Sequence, residues 1–119
     1  MLALLSAPAA AAAHEGRIVW SHFTGDGAAT VRIESARPDG RALRVLSSGA
    51  AGQQDFFPSP SPDGRRVVFE RDAPDGVAIM VVNADGSRQH PVDLGCADPC
   101  DSDQIPGWIP DGRHITFTR

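Results

Sequence analysis

Residues 58–71 read PSPSPDGRRVVFER: a turn triplet, Pro62-Asp63-Gly64, stands directly before a short apolar run. Nearly the same arrangement returns at residues 106–119 as PGWIPDGRHITFTR, with Pro110-Asp111-Gly112 in the triplet's place. Working outward, GRIVWSHF starts at Gly16, GRRVVFER at Gly64 and GRHITFTR at Gly112, so a Gly-Arg and a β-rich run recur every 48 residues. Equal spacing of this kind marks a repeat architecture. The 48-residue offset aligns Val19 with Val67 and Ile115, and Ser21 with Phe69 and Phe117, and strand alternation puts each set on one face. It also sets Val31 and Ile33 against Ile79 and Val81, Leu46 against Leu94, and Pro58 against Pro106.

Each unit reads as several short strands, RIVWSHF, ATVRIES and RALRVLS in the first, RRVVFER, VAIMVVN and QHPVDL in the second. No segment carries a helical period. The joints are Asp-Gly pairs at 26–27, 39–40, 63–64, 75–76, 85–86 and 111–112. Gly takes positive φ at no steric cost and Asp tolerates it, so the pair favours hairpins. A unit of this length with about four antiparallel strands fits a propeller blade; a β-sandwich gives no reason for an aligned period. The expected fold is all-β, a partial β-propeller of antiparallel multi-stranded blades.

Composition sets limits on function. The chain has 119 residues, 41% hydrophobic and 22% charged, which suits one folded domain. Its net charge of −4 argues against a net-basic nucleic-acid face, and the use of Arg for all 11 Lys-or-Arg positions is read as genome composition and not as Arg-rich nucleic-acid recognition. Residues 1–13, MLALLSAPAAAAA, are small and apolar, too short to cross a bilayer, and end in an Ala-x-Ala-like site. They read as a truncated signal peptide ahead of a domain at 14–119, which makes the protein exported, periplasmic or extracellular. In such a compartment Cys96 and Cys100 are expected to form a small local disulfide. A lone C-x-x-x-C is a poor zinc motif, because structural zinc needs four ligands.

The signature in residues 58–94, PSPSPDGRRVVFERD through IMVVNADGSRQHPVDL, and its copy PGWIPDGRHITF at 106–117 resemble the repeats of the TolB-like family of WD-type periplasmic β-propellers. The resemblance extends over most of the chain after residue 15, with a shifted ARPDGRALRVL in the first unit. The family's usual Trp is present as Trp108 but is Pro60 in the earlier copy, and its usual Ser is Ser61 but Ile109 in the later one. By this resemblance the chain holds about two blades and the start of a third. It is then expected to be a fragment whose last strand is an unpaired edge.

Chemistry is sparse. Prolyl-oligopeptidase-like enzymes join a similar propeller to a hydrolase domain, but no G-x-S-x-G nucleophile motif occurs here. His14, His22, His90 and His114 lack metal-ligand spacing. Asp98, Asp101 and Asp103, with Asp93 nearby, are weak calcium candidates, and a solvated acidic loop explains them as well, since no EF-hand pattern is present. Asp63 and Asp111 recur once per unit, as a hairpin requires and an active site does not. Pro62, Asp63, Gly64, Pro110, Asp111 and Gly112 are therefore read as structural turns. Trp20 and Trp108 are read as packing residues between units. The expected function is a non-catalytic scaffold without a cofactor that binds another protein or an envelope or extracellular ligand. It is expected neither to bind nucleic acid nor to span a membrane. The alternative is the propeller portion of a secreted serine hydrolase whose catalytic domain lies outside this chain.

Overall fold

The computed structural model describes residues 16–25, 30–47, 50–95 and 103–119. All regular structure among them is β. Strands β1 (Ile18–Phe23), β2 (Val31–Ala36) and β3 (Arg44–Val45) form a first antiparallel meander. Strands β4 (Gln54–Pro60), β5 (Arg66–Ala73), β6 (Gly76–Asn83) and β7 (His90–Pro91) form a second, four-stranded one. A single parallel bridge, Val31 to Gln54, joins the two. A separate hairpin of β8 (Gln104–Trp108) and β9 (Ile115–Thr118) follows. No helix among the described residues is long and apolar enough to cross a membrane.

The middle meander is covered on both faces, which explains why VVF and VAIMVV are apolar runs and not alternating patterns. On one face Val67, Phe69, Met80 and Val82 pack with Ile33 and Leu46 of the first meander, and Val19 and Ala78 close the cluster. On the other face Val68, Glu70, Ile79 and Val81 are also buried. Here β8 lies against β4, β5 and β6, and Ile105 N donates to Glu70 Oε2 at 2.8 Å. Full burial of side chains such as Phe69, Ile33 and Ile79 stabilises by roughly 1.5–3 kcal/mol each.

The 48-residue period holds closely between the second and third units. Ser59 pairs with Val68 and Gly107 with Thr116; Pro60 pairs with Val67 and Trp108 with Ile115. Both ladders slip at the same place, between Phe56 and Ser59 and between Gln104 and Gly107. Both slips carry a left-handed residue, Phe57 at φ 50° and Ile105 at φ 53°.

The first unit keeps the architecture in a different register, which corrects the uniform alignment expected from sequence. Glu34 pairs with Val45 as Met80 pairs with Pro91, and Leu46 N donates to Ile33 O as Val92 N donates to Ile79 O, both at 2.8 Å. The offset here is 46 residues, so Leu46 corresponds to Val92 and not to Leu94, and Ile33 to Ile79 and not to Val81. Ser21 pairs with Ile33 as Glu70 pairs with Ile79, which sets β1 against β5 at an offset of 49. Val19 therefore matches Val68 and Trp20 matches Phe69, while Arg17 matches Arg66. The cause is the longer connection between β1 and β2, which spans Thr24–Thr30 where β5 and β6 are joined by Pro74-Asp75. With the register corrected, equivalent faces point the same way. The first meander's Val19–Ile33 face meets the second, and the second's Val68–Ile79 face meets the third.

Candidate functional site

The recurring triplets are turns with the same hydrogen bonds. Gly64 N donates to Ser61 O at 2.9 Å and Gly112 N to Ile109 O at 3.0 Å. Proline and aspartate are thus the two central residues, and glycine follows in the left-handed region at φ +68° and +65°. Asp63 Oδ1 accepts from Arg65 N at 3.0 Å, and Asp111 Oδ1 accepts from Arg113 N at 2.8 Å. The Ser61 hydroxyl, donating to Asp63 at 2.6 Å, and then Arg65 N hold the Asp63 carboxyl below its ordinary value. Where that serine is Ile109, His114 pairs with Asp111 instead and, ahead of Arg113 N, lowers its carboxyl. Asp39 and Asp85 accept from Arg41 N and Ser87 N in the same way, both at 2.9 Å. Each of these carboxylates closes its own turn.

A second repeated element was not singled out from sequence. Asp55 and Arg71 stand opposite each other on β4 and β5. Arg71 donates to both Asp55 oxygens, Nε to Oδ1 at 2.7 Å and Nη2 to Oδ2 at 2.9 Å, and Asp55 is 0% exposed. With its amide oxygen turned inward, Gln89 accepts from Arg71 Nη1 at 2.9 Å. Forty-eight residues on, Arg119 grips Asp103 in the same fork at 2.8 and 3.0 Å. Each arginine also lies 5.4 Å from the ring of the phenylalanine two residues earlier, Phe69 or Phe117. The signal was available, since Asp and Arg recur at the period already found. Asp103, a calcium candidate by sequence, thus has both carboxylate oxygens on Arg119, whose hydrogen bonds lower its carboxyl. Asp98, Asp101, Cys96 and Cys100 lie outside the described residues, as do His14 and Asp26. Among the described residues no three His, Cys, Asp or Glu side chains gather as a metal site.

Two polar clusters are not repeated. Glu34, on the first meander's outward face, accepts from His22 Nδ1 at 2.8 Å and from Arg32 Nε at 2.7 Å. Burial would raise its carboxyl, but these two partners outweigh burial and hold it low. Trp20 shares this outward strand face with His22, whereas Trp108 packs between units. On the middle meander Glu70 and Asp72 face the third unit. Burial, with Asp72 adding to it, pushes the Glu70 carboxyl up, against the hydrogen bond from Ile105 N. His90 Nδ1 lies 2.8 Å from Arg88 O.

The best-formed concavity lies between the first and second meanders. It is a cavity of about 250 Å³ lined by the apolar Val19, Leu46 and Val67 and by the polar Arg17, Ser35 and Ser61. Arg17 Nε donates to Ser35 Oγ at 3.1 Å, and Nη2 donates to Ser35 O at 3.1 Å and to Ala42 O at 2.6 Å. The repeated turn at Pro62 and Gly64 forms one wall. The exposed apolar side chains at the two strand slips, Phe57 and Ile105, present a separate surface, extended by a Phe23–Phe56 contact at 6.3 Å.

No family model matches the sequence. The chain is 30% identical over 110 residues to the uncharacterized protein Atu1656 of Agrobacterium fabrum, a match covering 84% of this chain and 36% of that protein. The chain thus spans about a third of the length of the curated relative it matches.

Proposed function

We propose that the chain is part of a TolB-like β-propeller that serves as an exported, non-catalytic scaffold for another protein or an envelope ligand. The observation that carries this reading is the middle meander, sandwiched between two units whose equivalent faces point the same way. A repeat that buries each face against its neighbour is how propeller blades stack. A relative of which the match covers 36% has room for about six such units, within the range of known propellers. The polar groups favour a scaffold over an enzyme, because Asp63, Asp111, Asp55 and Asp103 each serve a repeated structural contact. The partner surface is the pair of slip residues, Phe57 and Ile105, which are half exposed and recur from one unit to the next.

Photo-crosslinking residues at positions 57 and 105 of the full-length protein test this. A crosslink to one envelope protein from both positions, competed by excess unlabelled protein and absent from position 45, is expected. Hydrolysis of peptide or ester substrates by the full-length protein would replace the scaffold with the secreted-hydrolase reading. Recovery of the protein in the cytoplasm would remove the exported one.

A further inference from the structure

A wider cleft of about 420 Å³ adjoins the cavity between the first and second meanders and shares Gly64 and Ala84 with it. It is lined by Arg44 of β3 and, from the second meander and its turns, by Arg65, Asn83 and Asp85. The turn after β6 comes so close to β3 that a Cβ on Gly86 would meet Val45 O at 3.2 Å, which sets the spacing of the two sides at the backbone. We propose that this cleft binds a carboxylate ligand of single negative charge, held by the guanidinium groups of Arg44 and Arg65.

The two arginines are available because the carboxylates near them are committed to their own turns. Asp63 Oδ1 accepts from the Ser61 hydroxyl at 2.6 Å and from Arg65 N at 3.0 Å, and Asp85 Oδ1 accepts from Ser87 N at 2.9 Å and from the Ser87 hydroxyl at 2.6 Å. Each feels the field of its neighbouring arginine, Arg65 or Arg44, without a hydrogen bond from the guanidinium. Arg44 Nη1 donates to Ala84 O at 3.3 Å, which leaves its other N–H groups for a ligand. The Arg65 side chain makes no hydrogen bond, ion pair or ring contact among the described residues. Two guanidinium groups against the one carboxylate of Asp85 leave the lining with a surplus of one positive charge, which suits a carboxylate better than a doubly charged phosphate. The same two positions are basic at the next seam. By strand register His90 stands for Arg44, and Arg113 follows its turn triplet as Arg65 follows Pro62-Asp63-Gly64. The cleft needs only the first two meanders and does not depend on the partner surface at Phe57 and Ile105.

Two ligand sources share this chemistry, a free carboxylic acid and an acidic side chain of a peptide. Butyrate and the capped tripeptide acetyl-Gly-Glu-Gly-amide, titrated into the 119-residue chain and followed by backbone-amide NMR, separate them. The ligand is expected to shift the amides of Gly64, Arg65, Ala84 and Asp85. The same shifts with the tripeptide assign the side-chain source; shifts with butyrate alone assign the free acid. No shift with either, equal shifts with the glutamine form of the tripeptide, or tighter binding of inorganic phosphate overturns the site. Arg65→Gln removes one guanidinium from an exposed turn and is expected to weaken the carboxylate at least about tenfold. Arg113→Gln, at the same turn position one unit later, is expected to leave binding unchanged. Full binding by the Arg65→Gln protein, or an equal loss in the Arg113→Gln protein, overturns the proposal.

Discussion

The two interfaces of the middle meander are made by the same repeat and are held differently. Toward the first meander, Phe69, Met80, Ile33 and Leu46 form a continuous apolar core, and the charged pair beside it, Asp55–Arg71, is buried on both sides. Toward the third unit, the contact is more polar, with Ile105 N on Glu70, Trp108 N on Ser59 Oγ at 3.2 Å and Arg66 over Trp108. The matching pair, Asp103–Arg119, has the same fork, but the Arg119 side chain is 54% exposed where that of Arg71 is 10%. Identical geometry therefore has different energetic weight, because the dielectric around it differs.

That difference is broken most directly at the aspartates. Asp55→Ala leaves Arg71 buried without its carboxylate and is expected to cost about 3–5 kcal/mol, read as a lower denaturant midpoint. Asp103→Ala removes the same fork but leaves a cation that reaches water, and its loss is expected to be much smaller. Equal losses would mean that the fork, not its burial, sets the contribution. Next in size is the ring between the second and third units. Trp108→Ala is expected to cost about 1–3 kcal/mol through lost packing and stacking, whereas Pro60→Ala, beside the cavity, is expected to cost less than about 1 kcal/mol.

A pH titration sharpens the comparison further, because the polar interface carries opposed carboxylates. The Glu70 carboxyl is raised above its ordinary value near 4.5 in the folded chain, so the native state holds that proton more tightly than the unfolded one. Its contribution to stability is present below pH 4.5 and is lost as pH rises through the raised value. Asp103 is lowered from 3.8, so its contribution is present above that pH and is lost as pH falls through the lowered value. Glu70→Gln keeps an acceptor for Ile105 N and removes the charge facing Asp72. Its melting temperature is expected to exceed that of the wild type at pH 7 and to match it near pH 4; a lower value at pH 7 would show that the ionised form strengthens this interface.

Much of this was legible from Pro62-Asp63-Gly64 and its copy, since turn residues report local backbone needs directly. The all-β class, the turn roles of both triplets and the 48-residue spacing of the last two units follow from such local signals. The register of the first unit did not. Its extra residues lie in the β1–β2 connection, and a common Gly-Arg-x-Val pattern at Gly16 and Gly64 masks a shift that reverses which face Val19 presents. Strand periodicity is two, so a single-residue error in offset exchanges core for surface. The Asp55–Arg71 pair left a trace in the 48-residue period, through Asp103 and Arg119, but one that names no contact. Its partners lie on different strands, and only pairing brings them together.

The smallest expected effect concerns the slips in the first strands of the second and third units. Phe57 and Ile105 both sit in the left-handed region, where an L side chain costs roughly 1–2 kcal/mol and a β-branched one is a marked outlier. Glycine removes that strain and adds unfolded-state entropy of about 0.5–1 kcal/mol, so Ile105→Gly and Phe57→Gly are each expected to change stability by no more than about 1 kcal/mol. Ile105→Gly is the more favourable of the two, and it keeps the backbone N–H that reaches Glu70. If stability holds while crosslinking to the partner is lost, these strained apolar side chains are maintained for contact and not for the fold. A loss well above 1 kcal/mol in thermal melts would instead place them in the packing between units, and would move the partner surface elsewhere.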